Sequence, residues 1–178
     1  MSKKRCSWVT DDEVYIRYHD DEWGIPTYDD KKLFEMLVLE SFQAGLSWIT
    51  ILKRRKNFKK AFDEFDVDKV ANYSDEKIEE LKNNSGIIRH KGKITSAINN
   101  AKVFIEIQDE FGSFDKYIWG FTDGEIIKAE FLTESDLSRH ISKDLKKRGM
   151  NFVGPTIIYS YLESIGVIDN HQEDCFKY

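Results

Sequence analysis

One long apolar segment constrains the fold of this chain more than any other feature. Residues 32–53 read KLFEMLVLESFQAGLSWITILK, with Leu33, Leu37, Glu40 and Ala44 at helical spacing. Glu40 therefore falls on the apolar face of a predicted helix, where a carboxylate has to be paired, protonated or directed at a polar group. Two interpretations follow: a buried glutamate satisfied by a backbone group, or a glutamate that faces a ligand cavity.

The same segment predicts a tight corner between two helices. Gly45 suits the left-handed position after a helix end, and Ser47 is a good N-cap for the helix that follows. Leu46 lies between them at the tip of the corner. It either packs on Ile51 as a hydrophobic staple or is presented to a partner as an apolar wedge.

Composition and periodicity predict an all-α fold, an orthogonal helical bundle. The 178 residues are 40% hydrophobic and 33% charged with only two prolines, which is ordinary for a globular protein. Helical patterns recur along most of the chain, with Thr10 or Asp11, Asp66 and Ser74 as candidate helix caps. Only residues 122–131 hint at a short extended segment. This length predicts one compact domain or two closely packed lobes.

Because the N-terminus lacks the apolar region of a secretory signal and no run is long enough to span a membrane, we predict a cytoplasmic protein. Nothing suggests more than a monomer.

Basic residues are clustered although the net charge is −5. The clusters lie at residues 53–56, 59–60, 89–93 and 146–149. Such patches can bind phosphates on an acidic protein because screening confines the field to about 8–10 Å. For any single cluster a solvated helix face is the commoner case, but the four clusters together favour nucleic acid modestly.

Cysteine and histidine pairs occupy the two ends of the chain. Cys6 and His19 lie near the N-terminus, and His171 and Cys175 near the C-terminus. Thiolate and imidazole are preferred ligands of Zn²⁺, and four protein ligands would make such a zinc structural. The alternatives are two unrelated thiols or a Cys6–Cys175 disulfide, which is rare in a cytoplasmic protein.

A glycine-bracketed basic turn is predicted between two helices. The turn contains Gly86, Arg89, His90, Lys91, Gly92 and Lys93. Backbone N–H groups at such a turn, beside a helix N-terminus, form an anion site suited to a nucleic-acid phosphate. The alternative is an ordinary basic corner between helices. His90 and His140, taken singly, are expected to be surface residues.

Aromatic residues concentrate in the first part of the chain, at Trp8, Tyr15, Tyr18, Trp23 and Trp48. Such clusters are usually core. Here they come from segments that could converge around Glu40, and aromatic faces beside a carboxylate suit a flat cationic ring.

These motifs together resemble the DNA-3-methyladenine glycosylase I family. The resemblance rests on CSWV (6–9), YHDDEWG (18–24), LESFQAGLSWITILK (39–53), GIIRHKGKI (86–94), LKKRGMNFVGPT (145–156), and NH (170–171) with Cys175. It runs from Cys6 to Cys175. The family is a branch of the helix-hairpin-helix glycosylases that removes 3-methyladenine from alkylated DNA and carries a structural zinc.

The resemblance implies a role for most of the candidate residues. Cys6, His19, His171 and Cys175 become the expected Zn²⁺ ligands. Glu40 is expected to hydrogen-bond the flipped base, with Tyr18 and Trp48 stacking on or contacting it and Trp8, Tyr15 and Trp23 lining the pocket. Gly45 and Leu46 would fill the gap left in the duplex, and residues 86–93 would grip the DNA backbone. The resemblance also implies two closely packed lobes: a helix-hairpin-helix lobe at about residues 30–130, and a zinc lobe formed by about residues 1–29 and 131–178.

The turn departs from the pattern L-P-G-x-G-x-K of many helix-hairpin-helix relatives. With Gly86 aligned to their first glycine, His90 stands where bifunctional relatives keep a nucleophilic lysine. Gln108 stands near the position of their catalytic aspartate, with Asp109 beside it. The resemblance therefore implies a monofunctional hydrolase that flips 3-methyladenine out of double-stranded DNA and forms no Schiff base. The alternatives are a non-catalytic DNA-damage-binding module on the same fold and a small-ligand-binding protein.

Overall fold

The structure, a computed structural model, describes residues 3–129 and 132–178, and this part of the chain is mostly helical. Its α-helices are α1 (Glu13–Asp21), α2 (Asp30–Gln43), α3 (Trp48–Ala61), α4 (Val67–Ala71), α5 (Asp75–Lys82), α6 (Lys91–Phe111), α7 (Phe114–Gly120), α8 (Asp136–Lys147) and α9 (Pro155–Ser164). A short turn at Asp63–Phe65 with positive φ angles joins α3 to α4. Within the described ranges, none of the helices is both long and apolar enough to cross a membrane.

Helix α2 is the central element of the fold. It packs against α3, α6, α7 and α9, and every residue from Leu33 to Phe42 is buried. The sequence pattern predicts a single apolar face, whereas the helix is enclosed on all sides, as expected of a helix that is apolar around most of its circumference. Glu40 is consequently surrounded by other elements of the fold.

Helix α6 is 21 residues long and begins directly after the basic turn. Its N-cap is His90, whose Nδ1 accepts a hydrogen bond from the backbone N–H of Lys93 at 3.1 Å. The predicted turn bracketed by Gly86 and Gly92 is therefore shorter than expected, since Gly92 already lies inside α6. Gly86 packs closely on α3: a Cβ atom there would lie 3.1 Å from the side chain of Asn57, which would have to shift slightly.

Most predicted helix starts are confirmed, with two corrections. Asp66 and Ser74 cap α4 and α5 through their side chains. Helix α1 is capped by Asp12 rather than by Thr10 or Asp11. Ser47 occupies the N-cap position of α3, but its hydroxyl lies 2.7 Å from that of Thr50 and caps no backbone group.

Two strands of two residues each pair in parallel, so the fold is mostly helical but not purely α-helical as predicted. β1 (Ile127–Lys128) confirms part of the extended segment predicted at residues 122–131, of which 130 and 131 lie outside the described residues. Its partner β2 (Ile168–Asp169) is not predicted from the sequence. The register pairs Ile127 with Ile168 and Lys128 with Asp169. The division into two lobes stays a prediction.

Candidate active site and metal cluster

A cavity of about 210 Å³ opens beside Glu40. It is lined by Trp8, Tyr15, Tyr18, Trp23, Glu40, Gln43, Trp48, Ser160 and Glu163. The structure thus brings together Glu40 and all five predicted aromatic residues. The sequence analysis missed Gln43, which follows Glu40 by one helical turn, and the pair Ser160 and Glu163 on α9.

Glu40 is buried, and no cationic side chain among the described residues forms an ion pair with its carboxylate. Only 3% of the residue is exposed, and its Oε2 atom has no hydrogen-bond partner within the described structure. Burial raises the pKa of Glu40 well above its ordinary value, and the negative charge of Glu163 raises it further. The interpretation in which a backbone group satisfies the whole carboxylate is therefore wrong for Oε2, and an unpaired acceptor is available to a ligand.

Helix α2 carries a second buried glutamate that provides a direct comparison. Glu35 is 5% exposed and accepts a hydrogen bond from Arg55 Nε at 2.7 Å. The same guanidinium donates from Nη1 to Glu22 at 2.7 Å. Arg55, one of the clustered basic residues, is thus used inside the protein, and Glu35 has the structural partner that Glu40 lacks.

The aromatic wall of the cavity is built from edge-on and tilted contacts. The rings of Trp8 and Trp23 are 5.1 Å apart at 73°, and those of Trp8 and Tyr15 are 5.3 Å apart at 75°. On the other side, the rings of Tyr18 and Trp48 are 5.5 Å apart. Burial is the main cause of the raised pKa of Tyr18, with the charge of Glu40 adding to it, so its phenol stays protonated. These rings provide apolar faces for a flat ligand.

The corner after α2 is held rigidly against α6. Gly45 has φ +77°, and a Cβ atom there would touch nothing within 4 Å, so only the backbone conformation requires glycine. Lys93 is buried and its Nζ donates to the carbonyl oxygens of Phe42 at 2.9 Å and Ala44 at 2.5 Å. Leu46 is 38% exposed at the tip.

Residues of the basic turn therefore fall into two groups. Arg89, His90 and Lys91 are exposed, as expected for side chains that contact a phosphate. Lys93, predicted to contact DNA, instead satisfies the carbonyl groups at the end of α2. Two of the three N–H groups of its ammonium are therefore used inside the fold, and a contact of Lys93 with DNA stays a prediction.

The four cysteine and histidine side chains gather where the two ends of the chain meet. The backbone N–H of Phe176 donates to the carbonyl of Lys4 at 2.9 Å. Ligand atoms of Cys6, His19 and Cys175 all lie within 4.8 Å of one another, and all three residues are buried. Both cysteines are free thiols, so the alternative of a Cys6–Cys175 disulfide is wrong.

His171 stands beside this cluster with its ring 5.5 Å from that of His19. Its Nδ1 lies 2.7 Å from Asp169 Oδ1, and its Nε2 is buried without a hydrogen-bond partner within the described structure. The Nδ1 of His19 likewise lies 2.9 Å from Asp20 Oδ1, whereas its Nε2 lies 3.5 Å from Cys175 Sγ. Burial lowers the pKa of both imidazoles, which favours the neutral form that binds metals.

Comparison with known proteins shows which family the chain resembles over nearly its whole length. The family model described as methyladenine glycosylase matches residues 8–178. The chain is 44% identical to "DNA-3-methyladenine glycosylase 1" of Escherichia coli strain K12, over 98% of this chain and 97% of that protein.

Solved structures give the same result. Among them is 3-methyladenine DNA glycosylase I from Staphylococcus aureus (37% identity, TM-score 0.94, covering 99% of this chain and 97% of that one). Another is a crystal structure of a 3-methyladenine DNA glycosylase I variant in complex with 3-methyladenine (38% identity, TM-score 0.93, covering 97% and 96%). The chain therefore belongs to the methyladenine glycosylase family and is an enzyme of the N-glycosyl hydrolase class.

Proposed function

We propose that this enzyme releases 3-methyladenine from alkylated double-stranded DNA by base flipping and hydrolysis of the N-glycosidic bond. The observation that carries the proposal is the unpaired, buried carboxylate of Glu40 in a cavity with aromatic walls. An acceptor in such a place suits a ligand with hydrogen-bond donors or positive charge. Two relatives bear the name of this activity, and a related structure contains 3-methyladenine.

The chemistry of the substrate explains why a single carboxylate can suffice. Methylation at N3 leaves the adenine of DNA positively charged, so its glycosidic bond is already weak and its departure needs no strong general acid. The cavity then acts by stabilising the departing base more than the intact nucleotide. Stacking on Tyr18 and Trp48 and hydrogen bonds to Glu40 would provide that stabilisation.

Access to the base requires that the nucleotide leave the duplex. Extrusion costs a few kcal/mol, offset by stacking in the cavity and by whatever fills the gap. The exposed Leu46, on a corner fixed by Lys93, is suited to fill the gap. Arg89, His90 and Lys91, beside the N-terminus of α6, are suited to contact the DNA backbone. Lys93 already uses two of its three ammonium N–H groups for internal hydrogen bonds, so these three residues are better placed for such contacts.

We propose further that the reaction is monofunctional and forms no Schiff base. His90, at the position of the nucleophilic lysine in bifunctional relatives, uses Nδ1 to cap α6. Gln108, near the position of their catalytic aspartate, donates to Asp30 at 2.7 Å. Asp109 is exposed. None of these three side chains is among the described residues that line the cavity.

A structural Zn²⁺ bound by Cys6, His19, His171 and Cys175 completes the proposal. The donor set fits this metal: two buried free thiols, and two neutral imidazoles whose Nδ1 atoms are held by carboxylates. Bound zinc would stabilise the thiolates, since burial otherwise raises the pKa of Cys6 to about 12. With four protein ligands it would support the fold and take no part in hydrolysis.

The test of the proposed function is the variant Glu40→Gln, assayed on methylated duplex DNA. Removing the charge that stabilises the departing base should lower the rate of 3-methyladenine release by about 100-fold or more. Its thermal stability should equal or exceed that of the wild type, because a buried unpaired carboxyl is lost. Release at the wild-type rate would show that Glu40 is not the recognition group.

The matched control is Glu35→Gln, the same exchange on the same helix. Glu35 hydrogen-bonds Arg55, so this variant should lose about 1–3 kcal/mol of stability. Its activity per folded molecule should remain at the wild-type level. The alternative of a non-catalytic DNA-damage-binding module predicts no base release from any variant, the wild type included.

A further inference from the structure

A second acid lies in the cavity and has no role in the mechanism described so far. Glu163 belongs to α9, an otherwise apolar helix with the sequence PTIIYSYLES, and lines the cavity together with Ser160 and Glu40. Helix α9 packs directly on α2, and Tyr161 donates to the carbonyl of Leu33 at 2.9 Å. The two carboxylates therefore enter the same cavity from two helices that are fixed to each other.

The position of Glu163 is well defined by its neighbours. Its backbone carbonyl accepts a hydrogen bond from Gly24 N at 3.1 Å, and its carboxylate is hydrogen-bonded to Asn170. No lysine or arginine within the described part of the chain forms an ion pair with it. Burial raises the pKa of Glu163 to about 8.

Two buried acids without cationic partners in one small cavity lower the stability of the ligand-free protein. Like charges that share a buried site repel each other, and each loses the solvation it would have in water. The charge of Glu163 adds to the burial that raises the pKa of Glu40. A positively charged ring placed in the cavity would relieve both costs, whereas a neutral ring would relieve neither.

We propose that Glu163 is a second recognition residue, which makes the cavity selective for a positively charged purine over a neutral one. The inference rests on the proposed function and deepens it. Glu40 supplies the unpaired acceptor, and Glu163 supplies a second acid in the same cavity, which a positively charged ring would hold in its ionised form. Together they distinguish the cationic base of alkylated DNA from normal adenine, which is neutral.

The test is Glu163→Gln, which keeps the size of the side chain and its ability to bond Asn170 but removes the charge. Release of 3-methyladenine from methylated duplex DNA is measured in single turnover with enzyme in excess. Binding of free 3-methyladenine is measured by calorimetry in weakly alkaline buffer, where that base is neutral. Release should fall roughly 10- to 100-fold, the range for loss of a bond to a charged group, while binding of the neutral base stays the same or tightens.

Two further variants separate charge from structure. Glu163→Asp keeps the charge and should retain more activity than Glu163→Gln. Glu106→Gln is the same exchange at an exposed site on α6 and should match the wild type in every measurement. The melting temperature of Glu163→Gln should equal or exceed that of the wild type, because a buried like charge is removed.

The possible outcomes distinguish this inference from the proposed function. If the wild type releases no 3-methyladenine, the proposed function fails before Glu163 is considered. If the wild type is active and Glu163→Gln matches it, Glu163 is no recognition residue. Equal losses in base release, neutral-base binding and melting temperature would make Glu163 a structural residue and overturn the inference.

Discussion

At the scale of single residues, the environment of a side chain decides its role more than its type or position. Glu35 and Glu40 lie on the same buried helix, five residues apart, and both are glutamates with little exposure. Arg55 reaches Glu35 and not Glu40. One glutamate therefore stabilises the fold, and the other leaves an unpaired acceptor beside the cavity.

Lys93 illustrates the same principle among the basic residues. Its sequence neighbours Arg89, His90 and Lys91 are exposed, yet its own ammonium group bonds two carbonyls at the end of α2. Carbonyl groups at a helix end have no partner within their own helix. A lysine that donates hydrogen bonds to these carbonyls stabilises the helix end. Here Lys93 also holds the corner that carries Leu46.

We therefore predict different effects for Lys93→Met and Lys91→Met. Lys93→Met should lower the free energy of unfolding by about 1–3 kcal/mol, because two charged hydrogen bonds are lost. It should leave the dependence of DNA affinity on salt unchanged. Lys91→Met should leave stability unchanged but reduce the slope of log affinity against log salt by about 1, the value for one lost phosphate contact. Urea unfolding and DNA binding over a salt series measure both effects; the reverse pattern would place Lys93 on the DNA.

At the scale of secondary-structure elements, helix α6 fixes α2 at both ends. Near the N-terminus of α2, Asp30 accepts a hydrogen bond from Gln108 at 2.7 Å and from the backbone N–H groups of Phe114 and Asp115, each at 2.9 Å. At the C-terminus of α2, Lys93 bonds the final carbonyls. Because Glu40 lies between these attachments, the cavity is built on an element with little freedom to shift, as a preorganised site requires.

The prediction at this scale concerns Asp30→Ala. The variant removes three hydrogen bonds, two of which satisfy free N–H groups at the start of α7, and should cost about 1–3 kcal/mol of stability. Asp29→Ala, the matched control, removes only the cap of α2 itself, where Asp29 accepts from Lys32 N at 3.2 Å, and should cost about 1 kcal/mol. Urea unfolding compares the two. Equal losses would show that the contact between α2 and α7 adds nothing beyond an ordinary cap.

Local signals explain which elements can be predicted from the sequence. Periodicity and caps such as Asp66 and Ser74 act within one or two turns, so the helices are predicted to within a few residues. The pairing of β1 with β2 joins dipeptides about forty residues apart, and two residues leave no alternation to detect. The same reasoning applies to the cavity: Glu40 stands out within its own helix, whereas Glu163 gains its role only when α9 packs on α2.

At the scale of the whole molecule, the metal cluster and the cavity share a wall. The ring of Trp23 is stacked on that of His19 at 5.9 Å and lies 4.7 Å from that of His171. Trp8 contacts His19 at 5.5 Å and also lines the cavity. Residues from both ends of the chain thus position the aromatic side of the site, although Glu40 comes from the central helix. The four residues proposed as zinc ligands are recognisable from the sequence, but the contact between them and the cavity wall is visible only in three dimensions.

This contact predicts that loss of zinc damages the cavity before it unfolds the protein. Purified enzyme should contain one zinc per chain, measured by elemental analysis. Cys175→Ser should lose the metal and unfold at a lower temperature, because binding free energy contributes to folding free energy. Far-ultraviolet circular dichroism should stay close to that of the wild type below the melting temperature, because α2 and α6 have their own buried contacts. Tryptophan fluorescence and binding of free 3-methyladenine should change, since Trp8 and Trp23 lose their support.

A second variant distinguishes the effect of losing zinc from the effect of losing the Cys175 thiol. Asp169→Asn leaves all four ligands in place but weakens the carboxylate that orients His171, and such changes lower metal affinity by about 10- to 100-fold. This variant should bind zinc less tightly, require less chelator to lose it, and recover the wild-type fluorescence when zinc is added in excess. Cys175→Ser should not recover, because a hydroxyl is a poor substitute for a thiolate on zinc. The contrary result would be a wild-type protein that contains no zinc and keeps its melting temperature and base binding in the presence of a chelator. The two ends of the chain would then be held together by packing alone, and the metal would have no part in shaping the cavity.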